Sequence, residues 1–189
     1  RTGHIKLVDF GFCKHIPFLS KSGVSQYRTY TLCGTPDYIA PEVILTQGHD
    51  KSVDYWSLGI MVYEMLSRRT PFSARSQRIM FERIVHSNKF LRFPQPFDAH
   101  AKSLVRRMLH PNPALRFGNG NDSIDSIKKH AVFSINDVNW TDVENLTFEV
   151  PYVPEAVEPQ INLEPLDLES EADINIDDLD EQDPTFANI

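Results

Sequence analysis

LVDFGFCKHIPFLSKSGVSQYRTYTLCGTPDYIAPEV occupies residues 7–43, and the order of its chemistry-bearing residues decides how the rest of the chain is read. Residues 4–8 alternate polar and apolar well enough for a short strand, and Gly11 is a place for it to end. An Asp just past a strand end, followed by a glycine that lets the backbone turn sharply, can hold a carboxylate against a magnesium ion that bridges phosphates. Asp9-Phe10-Gly11 has that form. Alone, such a triplet is as well explained by an Asp that caps its own turn. It does not stand alone, because Ala40-Pro41-Glu42 follows 31 residues after Asp9 and the two triplets frame one long loop.

Beyond that loop the pattern is helical. Residues 53–66, VDYWSLGIMVYEML, are apolar at nearly every position, which predicts a helix enclosed on most sides at the centre of the core. Residues 76–86 place Ile79, Met80, Arg83 and Ile84 at helical spacing. Residues 98–110 open on Asp98 as an N-cap and run Ala101, Leu104, Val105 and Met108 along one stripe. Residues 122–133 predict a further short helix capped by Asp122 or Ser123, with Ile124, Ile127 and Ala131 inward. Trp56 and Trp140 read most simply as core aromatics.

The net charge of −7 conceals a split. Residues 1–143 hold all 19 Lys and Arg against 12 Asp and Glu, whereas residues 144–189 hold 14 acids and no base. The acidic part is dense in proline, with isolated apolar residues that cannot build a core, so it reads as an extended tail, either solvated or partly docked. Phe186 and Ile189, bulky residues at the end of the acidic run, argue for docking. No stretch approaches the roughly 18 apolar residues of a membrane span, and residues 1–6 lack the apolar region of a secretory signal, so a cytoplasmic location is expected. Cys13 and Cys33, the only cysteines, have no metal-site spacing and read as reduced thiols. The arginines at 68, 69, 106 and 107 fall on helix ends or wet faces without interleaved aromatics, so nucleic-acid binding is not expected. A start at Arg1 rather than Met fits a piece of a longer polypeptide.

TLCGTPDYIAPEV (31–43), VDYWSLGIMVYEML (53–66), TPF (70–72), LRFP (91–94) and LRFGN (115–119) closely resemble the cyclic-nucleotide-dependent protein kinases of the AGC group. The resemblance covers about residues 3–152 and is loose in the tail. It implies a mainly α fold: the large, C-terminal helical lobe of the protein-kinase fold, with a short N-terminal strand segment and an extended acidic tail. The kinase portion would span residues 1–133 and the tail 134–189.

By that resemblance Asp9 is the residue that holds Mg²⁺ on the phosphates of ATP, with Phe10 packing between lobes. Thr31 matches an activation-loop phosphorylation site, where phosphate would add about −1.5 to −2 charges and order the loop if cations converge on it. Lys14 matches a phosphate-contacting residue, and Arg28, three residues before Thr31, makes the loop resemble its own substrate, which implies autophosphorylation in trans. A plain loop hydroxyl is the alternative at Thr31. Thr35 resembles the threonine that supports the catalytic machinery and serine/threonine specificity; Leu32, Pro36 and Ile39 resemble the apolar pocket for the residue after the target hydroxyl, and Tyr38 would brace them. Glu64, a charge in an apolar helix, is either an i,i+4 partner of Arg68 or the carboxylate that accepts a substrate arginine two residues before the target. Glu42 and Arg116 resemble the buried ion pair that ties the loop to the helical lobe. Asp54 is either an N-cap or the anchor of the catalytic-loop backbone.

Three departures stand out. The segment between Asp9 and Thr31 is longer than in this family, the excess lying in the Ser-rich residues 17–26. The tail lacks the aromatic-acidic motif that touches ATP, with residues 174–180 the nearest counterpart, and Phe186 and Ile189 resemble a terminal hydrophobic motif in which Ile replaces a second Phe. Finally, residues 1–189 contain no Gly-rich phosphate loop, no ATP-anchoring Lys with its Glu partner and no catalytic loop with its Asp base. The reading is therefore part of a serine/threonine kinase that transfers the γ-phosphate of ATP to proteins with basic residues before the target, inactive as residues 1–189 alone. Its partners would be its own N-lobe and a cyclic-nucleotide-binding regulatory subunit or domain. A catalytically dead, kinase-like binding module is the alternative.

Overall fold

The computed structural model describes residues 2–16, 28–119 and 124–155. The chain separates into two units, Arg1–Gly3 with Pro151–Ile189, and His4–Val150, and every described element belongs to the second. Eight described helices follow in order: α1 (Pro41–Ile44), α2 (Ser52–Ser67), α3 (Gln77–Val85), α4 (Ser87–Phe90), α5 (Ala99–Met108), α6 (Ile124–Lys128), α7 (Ala131–Ser134) and α8 (Trp140–Glu144). Single 3₁₀ turns occupy Pro36–Tyr38 and Pro113–Leu115.

Local chemistry sets the helix starts. The Asp98 carboxylate accepts from the Ala101 N–H at 2.8 Å, a bond that holds its carboxyl below the usual carboxylate range. Ser76 does the same for the Ile79 N–H at 3.4 Å, and Asn139 for the Thr141 N–H at 3.0 Å. Each cap satisfies a backbone donor that the first helical turn leaves without a partner.

α2 is the centre of the packing. Trp56, Gly59, Ile60 and Tyr63 are buried at spacings of three and four, and the Trp56 ring stacks on Phe72 at 5.9 Å with 13° between planes. Val105 and Leu109 from the α5 side, Met80 and Ile84 from α3, and Ile39, Ala40 and Val43 complete this core. A second cluster joins Leu104, Met108, Phe117 and Ile127, with Tyr55 and Leu58 of α2 against it. Where α2 crosses α5 there is no space for a side chain: a Cβ on Gly59 would stand 2.8 Å from Met108 Cβ and 2.9 Å from Leu109 Cδ2.

The mainly helical class expected from the sequence is the one found. The short strand is not: residues 4–8 form no ladder, and Ile5, Leu7 and Val8 are 98, 84 and 73% exposed. A strand needs a neighbour to take its backbone donors and acceptors, and none is present among the described residues. α2 is also less enclosed than its composition predicts, because Met61, Met65 and Leu66 face solvent on its remaining side. Trp140 lies outside the core; its ring meets Phe133 edge-on at 4.9 Å and its Nε1 donates to the Lys128 carbonyl at 2.9 Å. The single helix expected over residues 122–133 divides into α6 and α7, because His130 adopts an extended backbone and caps α7 through Nδ1, which accepts from the Val132 N–H at 3.3 Å. Asp122, Ser123, the insertion at 17–26, residues 174–180 and the tail residues Phe186 and Ile189 lie outside the described residues. Among the described residues no helix is long and apolar enough to cross a membrane.

The Gly59 contact makes a test of the α2–α5 crossing. In an isolated helix Gly→Ala stabilises by about 0.5–1 kcal/mol, but a methyl forced against Cβ and Cδ2 atoms costs about 1–3 kcal/mol by overpacking. Gly59→Ala in the full-length protein is therefore expected to lower the urea unfolding midpoint, and a raised midpoint would show that the two helices have room to part.

Candidate functional site

The most buried part of the site is ionic. Pro41 opens α1 with the φ that a first helical residue requires, which places Glu42 in the first turn. Arg116 follows the 3₁₀ turn at Pro113–Leu115, whose start is capped by the Asn112 side chain accepting from the Ala114 N–H at 3.0 Å. The two side chains meet in a fork, Arg116 Nη1 to Glu42 Oε1 at 2.6 Å and Nη2 to Oε2 at 2.8 Å, with Arg116 fully buried and Glu42 3% exposed. The remaining guanidinium donors reach the carbonyls of Ser52 at 3.0 Å, His110 at 3.1 Å and Pro111 at 3.4 Å. All five N–H donors thus have acceptors, the condition under which a buried charge is tolerable.

The segment before α1 is tied down more lightly. Thr29 and His49 exchange backbone hydrogen bonds at 3.0 and 2.9 Å, an isolated antiparallel bridge. Lys14 Nζ donates to Thr29 Oγ1 at 2.9 Å, and Thr29 Oγ1 lies 3.3 Å from Thr31 Oγ1. The lysine therefore reaches Thr31 through a second hydroxyl, and Thr31 itself is exposed. Arg28 donates to the Gln47 carbonyl at 3.2 Å. Gly48, at φ +73°, admits the Tyr30 ring where a Cβ would lie 2.9 Å from it.

Next along the chain, the turn at Pro36–Tyr38 is held by three side-chain bonds, two to α2 and one to Thr70 just beyond its end. The Tyr38 hydroxyl donates to Glu64 Oε2, Ser57 Oγ donates to the Tyr38 carbonyl at 3.0 Å, and Thr70 Oγ1 donates to Asp37 Oδ1 at 2.6 Å. The hydrogen bond to Glu64, with burial and the nearby carboxylate charges adding to it, pushes the Tyr38 phenol up to about 12. No ion pair joins Glu64 to Arg68 among the described residues. Arg68 has left the helix for the left-handed region at φ 61°, so the i,i+4 geometry on which that pairing depended is lost.

Asp9 also has left-handed backbone, at φ 63°, and its Oδ1 accepts from the Gly11 N–H at 3.2 Å. Phe10 and Phe12 beside it are 63 and 79% exposed. A cavity of about 240 Å³ brings together Phe12, Thr31, Thr35, Tyr38, Ile39 and Asp54. Asp9, Lys14, Glu64, Leu32 and Pro36 do not line it; Ile39 is buried in the core and Leu32 is 59% exposed. Asp54 is not the helix cap. Asp50 takes that part, its Oδ1 accepting from the Ser52 N–H at 2.9 Å, while Asp54 stands exposed in the first turn without a hydrogen-bond partner among the described residues. Surrounding protein raises the Asp54 carboxyl, with His49 opposing, although water screens that effect at an exposed residue. Burial lowers the His49 imidazole, which Glu42 and Asp50 counteract. Sequence reasoning missed Thr29, Asp37, Thr70 and Ser57; only the Asp50 cap had a sequence signal, an Asp two residues before a helix start.

A family model for the protein kinase domain matches residues 1–133. The chain belongs to the protein kinase family. It is 45% identical over 138 residues to human cGMP-dependent protein kinase 2, covering 73% of this chain and 17% of that protein. It is 38% identical over 159 residues to a cAMP-dependent protein kinase, catalytic subunit-like, of Caenorhabditis elegans, and 37% identical over 175 residues to cAMP-dependent protein kinase type 3 of Saccharomyces cerevisiae. The shares covered are 84% of this chain and 37% of the nematode protein, and 93% and 41% for the yeast one. The chain thus spans between 17% and 41% of the length of these relatives.

Protein kinases work on ATP with Mg²⁺, an ion that takes one or two carboxylates and completes its shell with phosphate and water oxygens. Asp9 fits that modest requirement: its carboxylate is exposed on a strained turn, with one oxygen held by the Gly11 N–H. No group of three or more His, Cys, Asp or Glu side chains suited to a metal gathers among the described residues.

Two measurements probe this kinase site. Arg116→Lys keeps the charge but loses the fork and two donors, leaving Glu42 incompletely paired, and breaking such a pair costs about 3–5 kcal/mol. The full-length variant is expected to unfold at clearly lower denaturant, and an unchanged midpoint would remove the pair from the account. For Tyr38 the sign is set by the native state, which holds the phenolic proton more tightly than the unfolded chain does at the ordinary value of 10.0. Its contribution to stability is full below pH 10 and disappears as pH rises towards 12. Ultraviolet titration should show a tyrosine that ionises near 12 in the wild type and at lower pH in Glu64→Gln.

Proposed function

We propose that this chain is the large-lobe part of a serine/threonine protein kinase of the cyclic-nucleotide-dependent type, which transfers the γ-phosphate of ATP to proteins with basic residues before the target hydroxyl. The observation that carries the reading is Glu64: a half-buried carboxylate, oriented by the Tyr38 hydroxyl and without a cationic partner among the described residues, at the edge of the 31–39 segment. A carboxylate in that position can accept a guanidinium from a bound peptide in a charge-assisted bond.

In this reading Asp9 contributes one oxygen to the Mg²⁺ that bridges the ATP phosphates, Thr35 supports the catalytic machinery, and Leu32, Pro36 and Ile39 accommodate the residue after the target. Thr31 is the switch. Phosphate there would add charge 3.3 Å from Thr29 Oγ1, the group that Lys14 already holds, and would draw the lysine onto it. Asp54, exposed and unpartnered, is available to a backbone segment outside this chain. Phosphoryl transfer depends on positioning and charge stabilisation by groups that residues 1–189 do not contain, so these residues alone do not turn over.

The test compares full-length wild type and Glu64→Gln with Mg-ATP on peptides that carry Arg or Gln two residues before the serine. Wild type should favour the Arg peptide, and Glu64→Gln should lose about tenfold or more in kcat/KM on it alone, as expected for a charge-assisted bond worth about 1.5–3 kcal/mol. Mass spectrometry of the wild-type preparation should find phosphate on Thr31, absent from a preparation made catalytically dead. Equal loss on both peptides would assign Glu64 to structure, and no transfer by the full-length protein would leave a kinase-like binding module.

A further inference from the structure

Beside the carboxylate assigned to substrate arginine, the same helix ends in two cations. Arg68 and Arg69 are exposed, and neither has a carboxylate partner among the described residues. Their backbone is nonetheless well held. The Arg68 N–H donates to the Glu64 carbonyl at 2.7 Å, and Ser67 Oγ lies 2.8 Å from both the Tyr63 and the Arg69 carbonyls. Thr70, the next residue, donates to Asp37 at 2.6 Å, and Asp37 adjoins Tyr38, whose hydroxyl bonds Glu64. Glu64, Tyr38, Asp37, Thr70, Arg69 and Arg68 are therefore linked in one closed circuit of hydrogen bonds and chain neighbours, which contains two acids and two arginines. Asp37 is engaged by Thr70 and Glu64 by Tyr38, so no acid within the circuit neutralises the arginines.

We propose that Arg68 and Arg69 are specificity-determining residues, which select substrates that carry an acidic residue close to the basic one taken by Glu64. This rests on the reading of Glu64 as the acceptor of a substrate base. The distance follows from geometry. One helical turn is about 5.4 Å and an extended peptide advances about 3.3 Å per residue, so the acid belongs roughly two to four residues from the base once the reach of an arginine is included. It belongs on one side of the base only, because both arginines follow Glu64 at the C-terminal end of α2. A substrate with base and acid in this order satisfies Glu64 and the arginines together, whereas a base in the acid's place puts like charge against Arg68 and Arg69.

The experiment scans a single Glu, against Gln, through every position of a peptide that holds the arginine and serine fixed, with the full-length protein. In low salt, Glu at two or three adjacent positions on one side of the arginine should raise kcat/KM about threefold to tenfold, mainly through KM, and the gain should shrink in high salt as exposed charges are screened. Arg68→Gln/Arg69→Gln should abolish the gain, so that Glu and Gln peptides become equal substrates, Arg68→Lys/Arg69→Lys should retain it, and Arg68→Glu/Arg69→Glu should transfer it to Lys at the same positions. Fluorescence anisotropy of the same peptides reads the same preference as affinity, independently of turnover. Equal values for Glu and Gln peptides in the wild type, a gain that survives Arg68→Gln/Arg69→Gln, or an equal gain at every position through general attraction would each overturn the proposal. Glu64→Gln separates the two readings: if it leaves the arginine preference intact, the Glu64 reading fails, while the comparison of Glu with Gln peptides still decides for or against Arg68 and Arg69.

Discussion

The Glu42–Arg116 fork joins residues 74 positions apart in the chain, and most of the remaining arrangement depends on it. Two unit charges removed from water are tolerable only when nearly every donor and acceptor is met. That requirement forces the carbonyls of Ser52, His110 and Pro111 to converge on one guanidinium, and so fixes the start of α2 and the turn after α5 against α1. The guanidinium also lies 5.2 Å from the Trp56 ring, and Trp56 stacks on Phe72. The ionic knot and the apolar core thus share a wall, and neither can be rearranged without disturbing the other.

Outward from that knot the restraints weaken in steps. Ala40 and Val43 are buried beside it, the turn at Pro36–Tyr38 is half-buried and held by three side-chain bonds, and Thr31 is exposed, connected to Lys14 through one threonine hydroxyl. Segments with few buried contacts and exposed hydrogen bonds open first. A loop graded in this way has a firm base and a tip that a few added charges can bias, a suitable construction for a region whose conformation is to be switched. The substrate-facing groups lie at the middle level, where Tyr38 and Thr70 hold Glu64 and Asp37 against a rigid helix.

Legibility from sequence followed the range of the interaction. The cap at Asp98, the inward stripe of α5, and Met80 and Ile84 of α3 depend on residues three and four apart and were readable, whereas Ile79 at the same spacing is exposed. The strand at 4–8 was not, because alternation states only that a chain can pair and not that a neighbour exists. Glu64 with Arg68 had the right spacing but failed once Arg68 took φ 61°, a backbone choice that spacing does not reveal. Asp54 reads from sequence as either a cap or a backbone anchor, and the capping bond fell instead to Asp50, because which acid caps depends on where the first turn begins. Trp140 read as core because bulk and apolarity do not state which ring will cover it.

The sequence by itself determined the helical class, the kinase resemblance and the identities of the charged residues at Asp9, Glu42, Glu64 and Arg116, since motif order and helical period are properties of neighbours along the chain. Tertiary structure alone decided that Glu64 is held by Tyr38, that Asp37 is engaged by Thr70, that Lys14 reaches Thr31 through Thr29, and that Ile39 is buried while Leu32 is exposed. Each of those is a contact between segments whose separation in sequence carries no information about their separation in space. The hydrogen-bond demands of half-buried polar groups become specific only after the helices have packed and determined which groups water can no longer reach.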